Sequence, residues 1–534
     1  MSLTARDMHP RVRNGGKSRM KKENFMAQFI SAAEAVRLIR DGDCLIYNNF
    51  LGMNNAEQLS IALNERFEAE GHPKDLTLYC TAGLGGWLPG QPCEKIVPLG
   101  GVRTVIMSHY GSMPDTAKMI LENKIEAYNL PFGVMSHAVR AGAAGHPYYI
   151  SDAGLNLFVD PKYKGYQLNE QSKQELVEEI VIDGKRRLKY ATPRPDVALL
   201  KGSSADAYGN ISWEDEPVIG DALSIAQLVK RCGGKVIVQV ARKLDHPRRP
   251  TEIVIPSVLV DYICVCPEQD QIQGIKGTDP RYAGDVPMTD EELEAYVRES
   301  AKEDPKDLAK RLIAKRAAKE LKPGHVVNIG VGAPEFVAVE AAKSGMLSKV
   351  ALTVEAGSMK GLPAGGFAFG AAMGAQACCT TAEQFDLYDG GGLDICFIGA
   401  LEIDGEGNVN GHYHPKKLSG IGGFINITQF THKVVFCTTF SAGGLEIEDT
   451  EDGLKILKEG KFLKFAEHVT ALSFSAQNAH DNKQEVTYVT ERCVFRLGEK
   501  GLVLTEVRKG VDVKKQILDL LPFKVEVAEN LLVY

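Results

Sequence analysis

Glu355 stands where a carboxylate is costly. The run VALTV (350–354) is apolar and strand-like, and it ends on this one acidic residue, with AGSMKGLPAGG following at once. No charged residue occurs between Lys360 and Glu383. Taking a carboxylate out of water is unfavourable unless a partner or a task offsets it. Two readings stand: a salt bridge formed across the fold, or a nucleophile whose lost solvation is part of its chemistry. The chain has no G-x-S-x-G and no cysteine in a recognisable protease context, which leaves Glu355 as the strongest single nucleophile candidate.

Other stretches offer weaker chemistry. HVVNIGVGAPEF (325–336) reads as a strand, a glycine turn and a helix start. Gly330 and Gly332 would let backbone amides approach an anion at the helix N-terminus. Position 335 is Glu where a G-x-G-x-x-G would need glycine, and there is no P-loop lysine. A plain βα turn explains the stretch as well. SGIGGFINI (419–427) can expose consecutive N–H groups to an oxyanion or phosphate, and a bland tight turn explains it equally. In FDLYDGGGLDICFIG (385–399), Asp386, Asp389 and Asp394 fit no metal-ligand spacing, so structural roles are preferred. In GHYHP, His412 and His414 alternate as on one strand face, yet no third ligand accompanies them, so a surface or core role is preferred. No metal site is expected.

The elements that must position these groups form two related halves. PDVALL, AYGN and GGKVIVQV recur as LDICFI, GEGN and THKVVFCT at one constant offset of 198 residues. LYCTAG (78–83) matches LTVEAG (352–357) at an offset of 274, so the first half carries an extra 76 residues, within about 100–190. Thr81 falls opposite Glu355 in this alignment, so the carboxylate belongs to one copy only. Strand-like runs (CLIYN, LTLYC, TVIMS, VALL, KVIVQV) alternate with helix-like ones (AEQLSIALNERFEAEG, GDALSIAQLVKRC) in the first half. KDLAKRLIAKRAAKEL, HVVNIG, PEFVAVEAAK and VALTV repeat the alternation in the second. The expected fold is therefore α/β, with two similar open, mostly parallel-sheet domains in tandem. We expect the domains at 27–280 and 306–534, joined by a polar linker at 281–305.

Composition sets the outer limits. The 534 residues exceed one ordinary core, and 44% hydrophobic with 25% charged residues is the balance of a soluble globular protein. A net charge of −7, with no basic block beyond the N-terminus, gives no nucleic-acid footprint. Residues 1–26 hold seven Lys/Arg and no apolar core, which reads as a disordered tail, not a secretory signal. A transit peptide would be richer in serine, so the cytoplasm is favoured over the mitochondrial matrix. The charge-free stretch 361–382 is Gly/Ala-rich and contains Pro363, which reads as tightly packed chain and not as a membrane helix. The eleven cysteines lack zinc spacing, and those in apolar runs, Cys264, Cys266, Cys378, Cys379, Cys396 and Cys437, read as reduced core thiols.

Taken in order, NIGVGAPE, LTVEAGSMKG, QFDLYDGGGLDICFIG, GNVN and SGIGGFINI, with AYNLPFGV, RAGAAGHP, LNLFVDP and PDVALLKGSSADAYGN before them, resemble the family I coenzyme A transferases. The resemblance runs from about Phe29 to Val533 and is nearest to the acetate/propionate CoA-transferases, with the succinyl-CoA:3-ketoacid enzymes of ketone-body catabolism as cousins. It implies an active site between the two domains, with a glutamate nucleophile at Glu355. It implies an oxyanion loop at Gly422 and Gly423, and coenzyme A contacts at Gly330, Val331, Gly332, Ala333 and Gly420. It also implies a homodimer or homotetramer, and acyl-CoA as a substrate with no permanently bound cofactor. Where relatives commonly read PQG, this chain has Pro131-Phe132-Gly133, and an early glycine-rich stretch is altered to NNFLGMNN (48–55). We therefore assign Phe132 and Asn49 to substrate binding, with Asn48 as the alternative to Asn49. The expected reaction is ping-pong transfer of CoA from a short-chain acyl-CoA to a carboxylic acid through a glutamyl-CoA thioester. Two alternatives stay open: an acyl-CoA hydrolase on the same fold, and a non-catalytic acyl-CoA-binding protein.

Overall fold

Apolar runs that require cover on both faces assemble into two ten-stranded sheets. The computed structural model describes residues 27–300 and 304–534, so the tail read at 1–26 lies outside the described residues. In the first sheet β1 (Cys44–Tyr47), β2 (Leu76–Cys80), β3 (Val102–Met107) and β4 (Glu126–Asn129) run side by side and parallel. On the other side of β1 lie β5 (Val197–Ala205), β6 (Lys235–Lys243) and β7 (Tyr262–Val265), also parallel. Every residue of β5 is buried, as a central strand covered on both faces demands. The helices α1 (Phe132–Ala143) and α2 (Ala222–Arg231) follow β4 and β5 in the chain.

The second sheet repeats the plan. β8 (Val326–Ile329) and β9 (Ala351–Thr353) pair in parallel, and β10 (Ile395–Ile398), β11 (Lys433–Cys437) and β12 (Glu485–Val489) extend the sheet from the other side of β8. The order β7-β6-β5-β1-β2 in one half therefore corresponds to β12-β11-β10-β8-β9 in the other, the same pairing that the 198- and 274-residue offsets give. The extra stretch 100–190 holds β3, β4, α1 and a three-stranded sheet of Tyr148–Ser151, Val177–Ile182 and Lys185–Ala191. The second half also carries α3 (Thr381–Asp389), opened by a capping box between Thr380 and Glu383, and the short α4 (Phe424–Gln429).

Two features depart from expectation. The segment 281–305 carries a helix over Asp290–Ser300 that buries Leu293 and Val297, and Glu294 accepts the Ser348 N–H at 2.9 Å. All eleven cysteines are free thiols, but of the six read as core thiols only Cys264, Cys396 and Cys437 are buried; Cys266 and Cys379 are half-buried, and Cys378, on the edge strand Ala377–Cys378 of the second sheet, is exposed. Among the described residues no helix is long and apolar enough to cross a membrane.

Candidate active site

Glu355 sits on a tight turn. The Gly357 N–H donates to the Val354 carbonyl at 2.9 Å, and the Val354 N–H donates to the Ser358 carbonyl at 2.9 Å. The chain thereby reverses from β9 into the antiparallel strand Ser358–Met359. In this sheet β9 lies on one side of β8 and β10 on the other, so strand order reverses at β8. Crevices for ligands open at the carboxyl ends of strands at such a point. Glu355 ends β9 there, and Gly330 to Ala333 follow β8.

The half-buried Glu355 side chain has no hydrogen-bond partner and no cation among the described residues. The salt-bridge reading of this residue thus finds no partner in the structure. Burial alone pushes its pKa up to about 7. Below the ordinary value of 4.5 the group is neutral in both folded and unfolded chains and contributes nothing to stability. Above about 7 it is charged in both and destabilises the fold, by up to about 3 kcal/mol and by less to the extent that water reaches it. Glu355→Gln is therefore expected to raise the melting temperature at pH 8, with the gain shrinking to nothing as pH falls to 4.5. A gain independent of pH across this range would contradict the desolvation argument.

The carboxylate lies against the glycine loop of the same half. A Cβ built on Gly423 would overlap a Glu355 carboxylate oxygen. The loop itself is pinned to the other half. Ser419 O accepts from the N–H groups of Tyr110 and Gly111 at 2.8 and 3.0 Å. The Gly422 N–H donates to Ser108 O at 2.8 Å, and the Phe132 N–H donates to Gly422 O at 3.0 Å. The Ile421 N–H donates to Asn129 Oδ1 at 2.9 Å, and a Cβ on Gly420 would meet Ser108 O at 2.6 Å. The ends of β3 and β4 thus seat the loop that borders Glu355. Of the two glycines assigned to the oxyanion, Gly422 spends its N–H on Ser108, while the Gly423 N–H has no partner among the described residues.

A similar division holds at NIGVGAP. The Gly330 N–H donates to Phe397 O at 2.8 Å and the Gly332 N–H to Glu335 Oε1 at 3.0 Å, which leaves the N–H groups of Val331 and Ala333 free among the described residues. Val331 is 49% exposed.

Phe132 begins α1 and is buried, its ring 5.5 Å from Phe50 and 5.0 Å from Phe385. It shares one apolar core with Val354 and Ala356, the residues on either side of Glu355. Asn49 follows β1 at the matching switch point of the first sheet. It is buried, donates through Nδ2 to Asn55 Oδ1, and keeps a buried Oδ1 with no partner among the described residues. Asn48 is spent on the scaffold, donating to Ile219 O and accepting from the Asp221 N–H.

Sequence reasoning missed the residues that join the halves. Ser108, Asn129 and Asn426 make contacts across more than 290 positions, which no local pattern displays. It also missed that the twin position is not free of acid. The Thr81 hydroxyl donates to Asp221 at 3.2 Å and Ser136 donates to the same oxygen at 2.8 Å. Burial pushes the Asp221 pKa up to about 6. The signal was present in the parallel strings VIGD (218–221) and GIGG (420–423), which set Asp221 opposite Gly423.

A family model described as coenzyme A transferase matches residues 29–265. The chain is 36% identical over 506 residues to the acetate CoA-transferase YdiF of Escherichia coli K12, covering 94% of this chain and 93% of that protein. It is 36% identical over 517 residues to the caffeate CoA-transferase of Acetobacterium woodii, covering 95% of this chain and 96% of that one. Among solved structures, a thioester complex of the Escherichia coli O157:H7 acyl-CoA transferase YdiF with CoA superposes with a TM-score of 0.88 at 34% identity, over 96% of each chain.

Proposed function

The chain belongs to the coenzyme A transferase family, and from that premise we propose that it moves CoA between short-chain carboxylic acids through a thioester on Glu355. The observation that carries this reading is a carboxylate without a partner, desolvated and pressed against Gly423. Most carboxylates of this kind find a cation; one left bare at a switch-point crevice is poised to attack.

The reaction needs no general base. A Glu355 oxygen attacks the thioester carbonyl of the acyl-CoA, and the tetrahedral oxyanion collapses with loss of CoA thiolate to give a mixed anhydride. The thiolate then attacks the glutamyl carbonyl of the anhydride. The acyl group leaves as a free carboxylate, and glutamyl-CoA remains. A second acid runs these steps in reverse. Burial raises the reactivity of Glu355 by removing water, and binding energy from the distant parts of CoA offsets that cost. We assign the oxyanion contact to the free Gly423 N–H; Gly422 contributes the loop's shape and its seat on Ser108. The free amides of Val331 and Ala333 are assigned to CoA, together with Gly330, Gly332 and Gly420; a Cβ on Gly330 would crowd Phe397 O and the Ile398 side chain at 3.3 Å, and Gly332 takes φ +89°. Asn49, with its unspent acceptor, and Phe132, beside the neighbours of Glu355, are assigned to the acid. The two sheets with their helices are read as the two domains that enclose this crevice.

The test is mass analysis of protein incubated with acetyl-CoA and no acceptor. The expected product is the protein plus CoA less water, on the peptide that contains Glu355, discharged when an acid is added. A panel of acids in the discharge step reads the selectivity that Phe132 imposes. CoA release at the same rate with and without an acid would overturn transfer in favour of hydrolysis. Absence of any adduct would overturn the covalent route.

A further inference from the structure

We propose that Asn426 is a positioning residue whose side-chain amide registers the glycine loop against the opposite half, with Asp389 holding that amide in one orientation. Asn426 is fully buried in the first turn of α4, three residues after Gly423. Its Oδ1 accepts the Gly133 N–H of α1 at 3.1 Å, and its Nδ2 donates to both oxygens of Asp389 at 2.8 and 3.1 Å. Gly133 has to be glycine for this approach, because a Cβ there would lie 2.7 Å from the Asn426 amide and 2.6 Å from the Phe385 ring.

The orientation is enforced by chemistry. An ionised carboxylate only accepts hydrogen bonds and a backbone N–H only donates, so a flipped Asn426 would set oxygen against oxygen and N–H against N–H. A protonated Asp389 can donate, and the constraint is then lost. The groups facing Asp389 come from several elements. His137 Nδ1 on α1 is 3.8 Å away and its Nε2 lies 2.9 Å from Asp386. Arg140 donates to Asp386 at 3.1 Å. Tyr149 stacks on the His137 ring at 5.0 Å, and both Tyr149 and Tyr190 feel the Asp389 charge. Burial, with the neighbouring Asp386 charge, outweighs the Asn426 bond and pushes the Asp389 pKa up to about 7. The seam is therefore tightest above neutrality. Asn426 touches no reacting atom; it acts through Gly133 and through the loop that ends at Gly423.

The proposal rests on the nucleophile reading above, and its test separates the two. Adduct formation on Glu355 from saturating acetyl-CoA is timed at pH 8 in four proteins. Asn426→Asp, which sets two carboxylates together, is expected to slow the step about 10- to 100-fold. Asp389→Asn is expected to slow it about five-fold. The double variant Asn426→Asp/Asp389→Asn restores one donor and two acceptors in exchanged places, and is expected to recover to the rate of Asp389→Asn alone, with KM for acetyl-CoA little changed. A double variant no faster than Asn426→Asp overturns the proposal. Should Asn426→Asp fail to fold, the isosteric Asp389→Asn carries the test through its pH profile. As pH falls from 8 to 5 the wild-type rate is expected to approach that of Asp389→Asn, the ratio shrinking from about five to about one, because protonated Asp389 is the neutral form that the variant mimics, while protonation of Glu355 slows both proteins alike. A ratio that stays near five across this range overturns the proposal. A wild-type protein that forms no adduct overturns the nucleophile reading instead.

Discussion

Replacing Glu355 by glutamine is expected to lower CoA exchange by at least about 10⁴-fold and to eliminate the covalent adduct, in a protein that folds as well as wild type. The amide has nearly the same volume, so no cavity opens beside Val354 and Ala356. The carboxylate has no bonded partner among the described residues, so no buried group loses its mate. What disappears is the nucleophilic oxygen. Aspartate keeps the charge but withdraws it by one methylene, and a shift of about 1 Å at a reacting atom costs about 10²-fold. Measured together, adduct mass and initial exchange rate separate the cases. A Glu355→Gln protein that still exchanges CoA at a tenth of the wild-type rate would place the nucleophile elsewhere. A non-catalytic binder of CoA esters is distinguished by the wild type itself, which would bind acyl-CoA yet show neither exchange nor adduct.

Much of the frame was readable because its cause is local or periodic. The strand cores VALL (197–200) and VIV (236–238) are apolar without interruption because helices or loops cover both faces of a parallel sheet. The duplicated landmarks gave the pairing of β5 with β10 and β2 with β9, and the sheet order repeats it. Glu355 stood out because a lone carboxylate on an apolar run is improbable without cause. Which amide is free was not readable. The Gly422 N–H is occupied only because Ser108 follows the end of β3, some three hundred residues earlier, and glycine spacing carries no record of that. Thr81 misled in a related way. Alignment showed that the first half lacks acid at the strand end, but not that Asp221 brings acid to the same place from the start of α2. Both copies thus place a carboxyl at this junction, fully buried at Asp221 and half-buried at Glu355. In one it is tied by two hydroxyls; in the other it is bare.

Gly423→Ala isolates the space beside the bare carboxyl. Gly423 has φ −82° and ψ 0°, a conformation alanine adopts without strain, so the backbone gives no reason for the change to matter. Its Cβ, however, would overlap a Glu355 carboxylate oxygen and approach Ile427 at 3.2 Å. Either the carboxylate swings away from the crevice or the loop lifts from Ser108 and Asn129. Both move the nucleophile and the free N–H apart, and loss of one oxyanion donor alone costs about 10²–10³ in rate. Adduct formation should therefore slow by about that factor, while KM for acyl-CoA, which we assign mainly to the loop after β8, changes little. Gly422→Ala reverses the balance. Nothing lies within 4 Å of its Cβ, but φ is +52°, so the expected cost is stability, about 1 kcal/mol. Comparing adduct rate with melting temperature in the two variants distinguishes crowding of Glu355 from loosening of the loop. If Gly423→Ala formed the adduct at the wild-type rate, the carboxylate would have to react from a position away from this glycine, and the assignment of its N–H to the oxyanion would fall with it.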